Sequence, residues 1–346
     1  MSELPTRVLA VASHVVSGYV GNKIAVFTLQ SLGYDVAALN TVQFSYGQWT
    51  GTKASAQEIT DLYQGMRQSH LDDFDVMLSG YIPGAEAVVA VGEIAKELKT
   101  KNAHAPGSFF WVLDPVMGDN GKIYVAEDVV PAYKNLLQYA DLILPNQFEA
   151  ELLSDVKIVD TESLKAAIQA LHDKYRVPHI IITSVSFSQT GKQLSVIGSS
   201  MTAAGKARLF RIVFPSIDCY FCGTGDMFGA LVTARMREAV RDDDADGAGN
   251  LLRVASWLSP DSVTVASELP LAKAAEKVLG SMHHVLTRTQ QGIQGIVDKT
   301  RAGLTEDERT SGKAEQHIKS KAAELRLVQH LDALQNPQVL FKAQSI

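Results

Sequence analysis

Short, almost unbroken apolar runs recur along this chain, and a polar residue closes one after another of them. Val8-Leu-Ala-Val-Ala12 is followed by Ser13, and Val76-Met-Leu78 by Ser79. Phe109-Phe-Trp-Val-Leu113 is followed by Asp114, Leu142-Ile-Leu-Pro145 by Asn146, and Ile180-Ile-Ile182 by Thr183. Runs of this kind predict strands buried on both faces, the mark of a parallel sheet. Segments of helical spacing lie between them, at 21–32, about 55–70, 85–99, 146–153 and 161–175. Further strands are expected at 35–40, 193–198 and 209–214. This alternation predicts an α/β fold with a mainly parallel sheet covered by helices on both sides. Such sheets bind ligands beyond the carboxyl ends of their strands. Ser13, Ser79, Asp114, Asn146 and Thr183 sit there.

With 346 residues, 46% of them hydrophobic, the chain can bury one large core. It is read as a single domain over 1–346. The formal net charge is −6 and the pI about 5.9, which argues against general nucleic-acid binding. Two cysteines, Cys219 and Cys222, exclude a disulfide framework and fit a reducing, cytoplasmic compartment. Their C-x-x-C spacing fits a redox or zinc pair. No second Cys/His pair with ligand spacing accompanies it, so small wall residues beside the next turn are the plainer reading. Met1 to Arg7 has no apolar core, so no signal peptide is expected. No run of about 18 apolar residues occurs, so no membrane span is expected. The acidic stretch Arg241–Gly249 places a surface insertion at 238–262, and the charged residues at 300–320 read as a loosely packed segment. His283 and His284 read as packing or surface histidines. Leu325–Gln329 and Val339–Phe341 are candidates to return to the core.

Gly223-Thr-Gly-Asp226 precedes a run of helical spacing. Two glycines permit a tight turn, and a helix opening there aims free N–H groups outward as an anion site. An aspartate in that place repels a phosphate unless it removes a proton from an attacking hydroxyl. The turn therefore suggests phosphoryl transfer to an alcohol; the alternative is a helix-capping aspartate.

Asp114-Pro-Val-Met-Gly-Asp119 sets two carboxylates around a tight loop, and Asn146-x-x-Glu149 puts two polar side chains on one helix face. Mg²⁺ needs only one or two carboxylates besides phosphates and water, which Asp119 and Glu149 suit. The alternatives are an Asp-Pro turn and a capping box, and capping does not exclude a metal role.

In order and wording these segments resemble the ribokinase-like superfamily and, within it, the eukaryotic-type pyridoxal kinases. The matching pieces are Ser13-His-Val-Val-Ser-Gly-Tyr-Val-Gly-Asn22, Asn40-Thr-Val-Gln-Phe-Ser45, Gly80-Tyr81 and Asp114-Pro-Val-Met-Gly-Asp119. Tyr124-Val, Pro145-Asn-Gln-Phe-Glu-Ala-Glu151, Thr183-Ser184, Gly223-Thr-Gly-Asp226, His283-His-Val-Leu286 and Glu324-Leu-Arg-Leu-Val-Gln329 continue it over nearly the whole chain. The Gly-Thr-Gly-Asp turn marks the superfamily; the Ser13 and Asn40 segments mark the pyridoxal branch.

The resemblance implies a ribokinase-like three-layer α/β/α sandwich and ATP-dependent phosphorylation of the 5′-hydroxymethyl group of pyridoxal, pyridoxine or pyridoxamine. It implies that Asp226 is the general base and that the amides of Gly223, Thr224 and Gly225 form the anion hole. Asp114, Asp119 and Glu149 would serve Mg²⁺ and phosphate, with Thr183 and Asp114 beside a K⁺ or Na⁺ ion. Asn146, Thr183 and Ser184 would touch ATP, Phe214 and Ile217 would flank the adenine, and Ser13, Val42, Tyr81 and Phe221 would hold the substrate. A cytoplasmic homodimer is implied as well.

Two departures bear on this. The family commonly reads F-S-N-H-T-G-Y-G-x-W, whereas this chain reads Phe44-Ser-Tyr-Gly-Gln-Trp49 and lacks Asn-His-Thr-Gly. The lost threonine belongs to the family's substrate contacts. Leu144 stands where the family often has threonine, removing a hydroxyl near the cation. Catalytic chemistry is therefore expected to be better kept than substrate recognition. The shortened loop leaves open a related hydroxymethyl heterocycle or a sugar as substrate, or a binding protein without turnover.

Overall fold

A computed structural model describes residues 5–45, 50–187, 192–245, 250–305 and 314–346. The chain runs through β1 (Arg7–Val15), α1 (Asn22–Ser31), β2 (Asp35–Phe44), β3 (Gly51–Lys53) and α2 (Ala56–Gln68). It continues with β4 (Val76–Ser79), α3 (Ala85–Lys101), β5 (Phe110–Leu113) and the short hairpin of β6 (Gly118–Asp119) and β7 (Lys122–Ile123). Then come α4 (Val129–Leu136), β8 (Leu142–Ile143), α5 (Gln147–Ser154), α6 (Thr161–Tyr175), β9 (His179–Val185), β10 (Gln193–Met201) and β11 (Ala207–Pro215). The last elements are α7 (Thr224–Ala245), α8 (Pro270–Gln291), α9 (Ile293–Ala302), α10 (Ala314–Ala322), α11 (Leu331–Gln335) and β12 (Gln344–Ser345).

Among the described residues ten strands form one sheet in the order β12-β11-β10-β9-β8-β5-β4-β1-β2-β3. From β9 to β2 neighbouring strands are parallel; β10, β11, β12 and β3 are antiparallel additions at the two edges. Each central strand alternates its apolar side chains between two cores. Val8, Ala10, Val76, Leu78, Phe110 and Val112 face the core under α1, α7 and α8. Leu9, Val11, Met77, Trp111 and Leu113 face the core under α2 to α6. That two-sided burial gives the three-layer sandwich expected from the unbroken apolar runs. Among the described residues no helix is long and apolar enough to cross a membrane.

Some expectations change on folding. Ser79 is fully buried and accepts the Trp111 indole N–H at 2.9 Å, so it anchors the core instead of facing a ligand. The segment 238–262 is not simply surface. The helix α7 runs through its first part, and beyond it Leu251 and Trp257 are buried. The Trp257 ring stacks on Phe110 at 3.9 Å and its N–H donates to the Gly107 carbonyl at 2.8 Å. An indole offers a large apolar area with one donor, and here both are satisfied inside. Residues 246–249 of the acidic stretch lie outside the described residues. So do 306–313 of the segment 300–320; on either side of them Val297, Ile318 and Ala322 form a small apolar cluster. Leu325 and Leu327 do return to the core, but Leu340 stays 54% exposed and Phe341 alone of its trio packs inward.

Candidate active site

The start of α7 is built on a backbone that only glycine adopts easily. Gly223 has φ +82°, and a Cβ there would come within 2.4 Å of the Tyr19 carbonyl oxygen. The chain can then turn directly into the helix, leaving the amides of its first turn without intrahelical partners. Asp226 lies in that first turn. Its carboxyl is pushed up to about 6 by burial, against a hydrogen bond from the Gly21 amide that favours the charged form.

Gly21 connects this carboxylate to β1. It has φ +57°, and a Cβ on it would stand 1.9 Å from the Ser13 carbonyl oxygen. Ser13 is paired in register with Val42 of β2, past an irregularity between Ala12 and Ser13. Val42 is buried; Tyr81 is half-buried, and its carbonyl accepts the Thr41 hydroxyl at 2.7 Å. A methyl group on Gly80, next to Tyr81, would lie 3.7 Å from an Asp226 oxygen. Two glycines, Gly21 beside Ser13 and Gly80 beside Tyr81, thus bring β1 and the end of β4 up to Asp226.

The acidic residues assemble on the neighbouring strand ends. Asp114 shares a narrow crevice with Asp226, Gly21 and Asn22. Burial first, then the charges of Glu149 and Asp226, raise its carboxyl well above the ordinary range. The expected capping box of α5 is present: Glu149 N donates to Asn146 Oδ1 at 2.9 Å, and Asn146 N donates to Glu149 Oε2 at 2.9 Å. Glu149 also accepts the amides of Met117 at 2.8 Å and Gly118 at 3.3 Å, and Asn146 Nδ2 donates to the Gly118 carbonyl at 2.7 Å. Burial pushes Glu149 up to about 7 although all three amides favour its charge. Asp119 is exposed and its carboxylate accepts the amide and side chain of Asn120. Tyr124, which the spacing of the carboxylates does not single out, follows the short hairpin of β6 and β7. Its phenol is raised by partial burial and then by Glu149, Asp114, Asp119 and Asp226, which places it in the same negative field. Leu144 is buried and brings only methyl groups.

Beside this acidic centre opens a cleft of about 510 Å³. Asp119, Thr183, Ser184, Thr224 and Gly225 line its polar part. Phe214, Ile217 and Phe221 line its apolar part, as do Met282 and His283 of α8. Cys219 also lines it, as a wall residue; both cysteines are free and half-buried. His283, read from the sequence as a packing or surface residue, therefore faces a ligand-sized space, because sequence spacing alone does not say what lies opposite. A larger hollow of about 1170 Å³ lies elsewhere, beside Arg7, Asp75 and Arg235. It carries none of the expected site residues, and size alone assigns nothing.

The donor set fits a divalent ion only in part. Among the described residues no three His, Cys, Asp or Glu side chains gather as a metal cage. Oxygen ligands are nevertheless at hand in Asp114, Asp119 and Glu149. A hard cation that keeps waters and takes phosphate oxygens needs no more than one or two of them.

Residues 68–245 match the family model described as phosphomethylpyrimidine kinase. The chain is 34% identical to the pyridoxal kinase of Homo sapiens, with 97% of each covered, and 33% identical to that of Sus scrofa, with 98% and 95% covered. Among solved structures it resembles pyridoxal kinase from Leishmania donovani in complex with ADP and pyridoxamine. The TM-score is 0.77 and the identity 28%, over 99% of each chain.

Proposed function

The chain belongs to the pyridoxal kinase family, and on that premise we propose how its residues move a phosphoryl group from ATP to the 5′-hydroxymethyl group of a B6 vitamer. The reaction is phosphorylation of pyridoxal, pyridoxine or pyridoxamine, and the chain is a phosphotransferase with an alcohol as acceptor. One observation carries the assignment of roles. Asp226 stands in the first turn of α7, between the Ser13 corner and the cleft lined by Thr183, Thr224 and Phe214.

In this reading the vitamer lies against Ser13, Val42, Tyr81 and Phe221 with its hydroxymethyl group at Asp226. The nucleotide lies along the cleft, its base between Phe214 and Ile217 and its phosphates near Asn146, Thr183 and Ser184. Asp226 accepts the hydroxyl proton as the oxygen attacks the terminal phosphorus, whose bond to the bridging oxygen breaks to release ADP. The amides of Gly223, Thr224 and Gly225 receive the negative charge that builds on the transferring group. Phosphoryl transfer asks mainly for positioning and charge stabilisation, so this equipment suffices. Mg²⁺ would be held by Asp119, Asp114 and Glu149, directly or through water, and when bound it neutralises phosphate charge. Glu149 spends three hydrogen bonds on backbone amides, so it also fixes the shape of the loop at Gly118. A monovalent cation would lie beside Asp114 and Thr183, with one hydroxyl fewer than usual because residue 144 is leucine. The chain acts as a cytoplasmic homodimer.

The direct test is to incubate the purified protein with ATP, Mg²⁺, K⁺ and pyridoxal and follow pyridoxal phosphate by absorbance. Turnover is expected. A folded protein that binds ATP but leaves pyridoxal unchanged overturns the reading. The matched family model is described as phosphomethylpyrimidine kinase, so the competing reading is a pyrimidine carrying a hydroxymethyl group or its phosphate. A substrate panel decides: phosphorylation of the pyrimidine with none of pyridoxal moves the assignment there.

A further inference from the structure

His283 interrupts an otherwise apolar stretch of the cleft wall formed by Leu279, Met282 and Leu286 of α8. Among the described residues neither of its ring nitrogens has a hydrogen-bond partner. Burial and then the neighbouring His284 lower its pKa, so at neutral pH the ring is uncharged, with one nitrogen as donor and the other as acceptor. The ring is held from behind. Phe341 meets it edge-on, with centroids 5.2 Å apart and planes at 85°, and also touches Phe214 across 6.3 Å. Phe341 is itself fixed by the segment that follows. Lys342 Nζ and Ala343 N both donate to the Glu276 carboxylate on α8, at 2.9 and 2.8 Å. The strand β12 then pairs with β11, and Ile346 N donates to the Leu209 carbonyl at 3.0 Å. The C-terminal residues thus bind the two elements, α8 and β11, that both line this part of the cleft. A flat apolar slot with one fixed polar group is what a purine needs, since its faces are apolar and its edge is not.

We infer that His283 hydrogen-bonds the amino-bearing edge of the adenine and that Phe341 is the positioning residue that holds its ring in place. The inference rests on the reading of this cleft as the nucleotide site and adds the specificity-determining group to it. The test measures KM for ATP and for the triphosphate of the same purine lacking the 6-amino group. The enzymes are wild type, His283→Ala, His283→Asn, Phe341→Ala, Phe341→Leu and the double alanine variant. His283→Ala should raise the KM for ATP about three- to tenfold, the usual worth of one neutral hydrogen bond. It should also erase the preference for ATP over the analogue lacking the 6-amino group and leave the KM for pyridoxal in place. His283→Asn should recover part of the preference. Phe341→Ala should shift the same constant, Phe341→Leu less so, and the double variant should be no worse than His283→Ala, because one residue acts through the other. An unchanged KM in a folded His283→Ala enzyme overturns the inference, as does an equal loss for both nucleotides or strict additivity of the pair. A wild-type chain that binds no ATP overturns the functional reading beneath it, a result easily told apart from these.

Discussion

Glu149 accepts the Met117 amide at 2.8 Å and so fastens the loop after β5 to the helix after β8. The same carboxylate caps α5 through Asn146. One side chain therefore sets both the helix start and the loop that carries Asp119. Replacing it with alanine leaves buried amides without an acceptor, at a cost of about 1–3 kcal/mol for each such group. Glu149→Ala is expected to lower the denaturation midpoint clearly and to reduce turnover as well. Asn146→Ala, which removes the reciprocal cap, should cost about 1 kcal/mol. Urea titrations of the three proteins check the order; a Glu149→Ala protein as stable as wild type contradicts it.

Asp226→Asn keeps the shape of the side chain and removes its basicity. Turnover should fall by about 10²- to 10⁴-fold, the usual contribution of a general base. ATP affinity, measured by calorimetry, should stay within about twofold. Full activity in this variant would remove Asp226 from the reaction.

The pH dependence follows from the same residue. With its carboxyl pushed up to about 6, kcat/KM for pyridoxal should rise with pH up to about 6 and then level off. Stability runs the other way. In this window the folded chain keeps a proton that the unfolded chain has released, so ionising Asp226 disfavours the fold. Its contribution is full below the unfolded carboxylate value near 4 and is lost as pH rises through about 6. Buried His172 and His179, both lowered to about 4, act in the opposite sense because the unfolded chain binds protons they refuse. They cancel when wild type is compared with Asp226→Asn. The stability of the variant relative to wild type should thus grow between pH 4 and about 6.5 and stay level above it. Thermal melts of the ligand-free proteins across that range check this, and a difference independent of pH counts against it.

The chain lacks Asn-His-Thr-Gly after Ser45. Inserting those four residues should lower the KM for pyridoxal and leave the KM for ATP unchanged, since the insertion lies on the Ser13 and Val42 side of Asp226. Steady-state kinetics with each substrate varied in turn decide it. An unchanged KM for pyridoxal would mean that this pocket grips its substrate without the tetrapeptide. The residues just after the gap, 46–49, lie outside the described residues.

Much of this molecule follows from local chemistry. Two-sided apolar runs fixed the parallel strands, helical period placed α6 at its observed ends, and Asn146-x-x-Glu149 formed the capping box its spacing foretold. The Gly223 turn opened a helix because glycine alone accepts that backbone without strain. Patterns of this kind are short in range, so the sequence states them directly. Other features depend on what lies opposite in space. Ser79 reads like a ligand group until the Trp111 indole is found upon it. His283 reads like a packing or surface residue until it is found on the wall of a cleft with Phe214, its ring against Phe341. Trp257 reads like part of a surface insertion until it stacks on Phe110, 147 positions earlier. Local pattern was enough for the main strands and helices of the sheet, for the turn and for the types of chemical group available; the short β3, the β6–β7 hairpin, α4 and β12 carried no such pattern. Which polar groups are satisfied inside and which face open space emerges only on folding, because it depends on partners far apart in the chain.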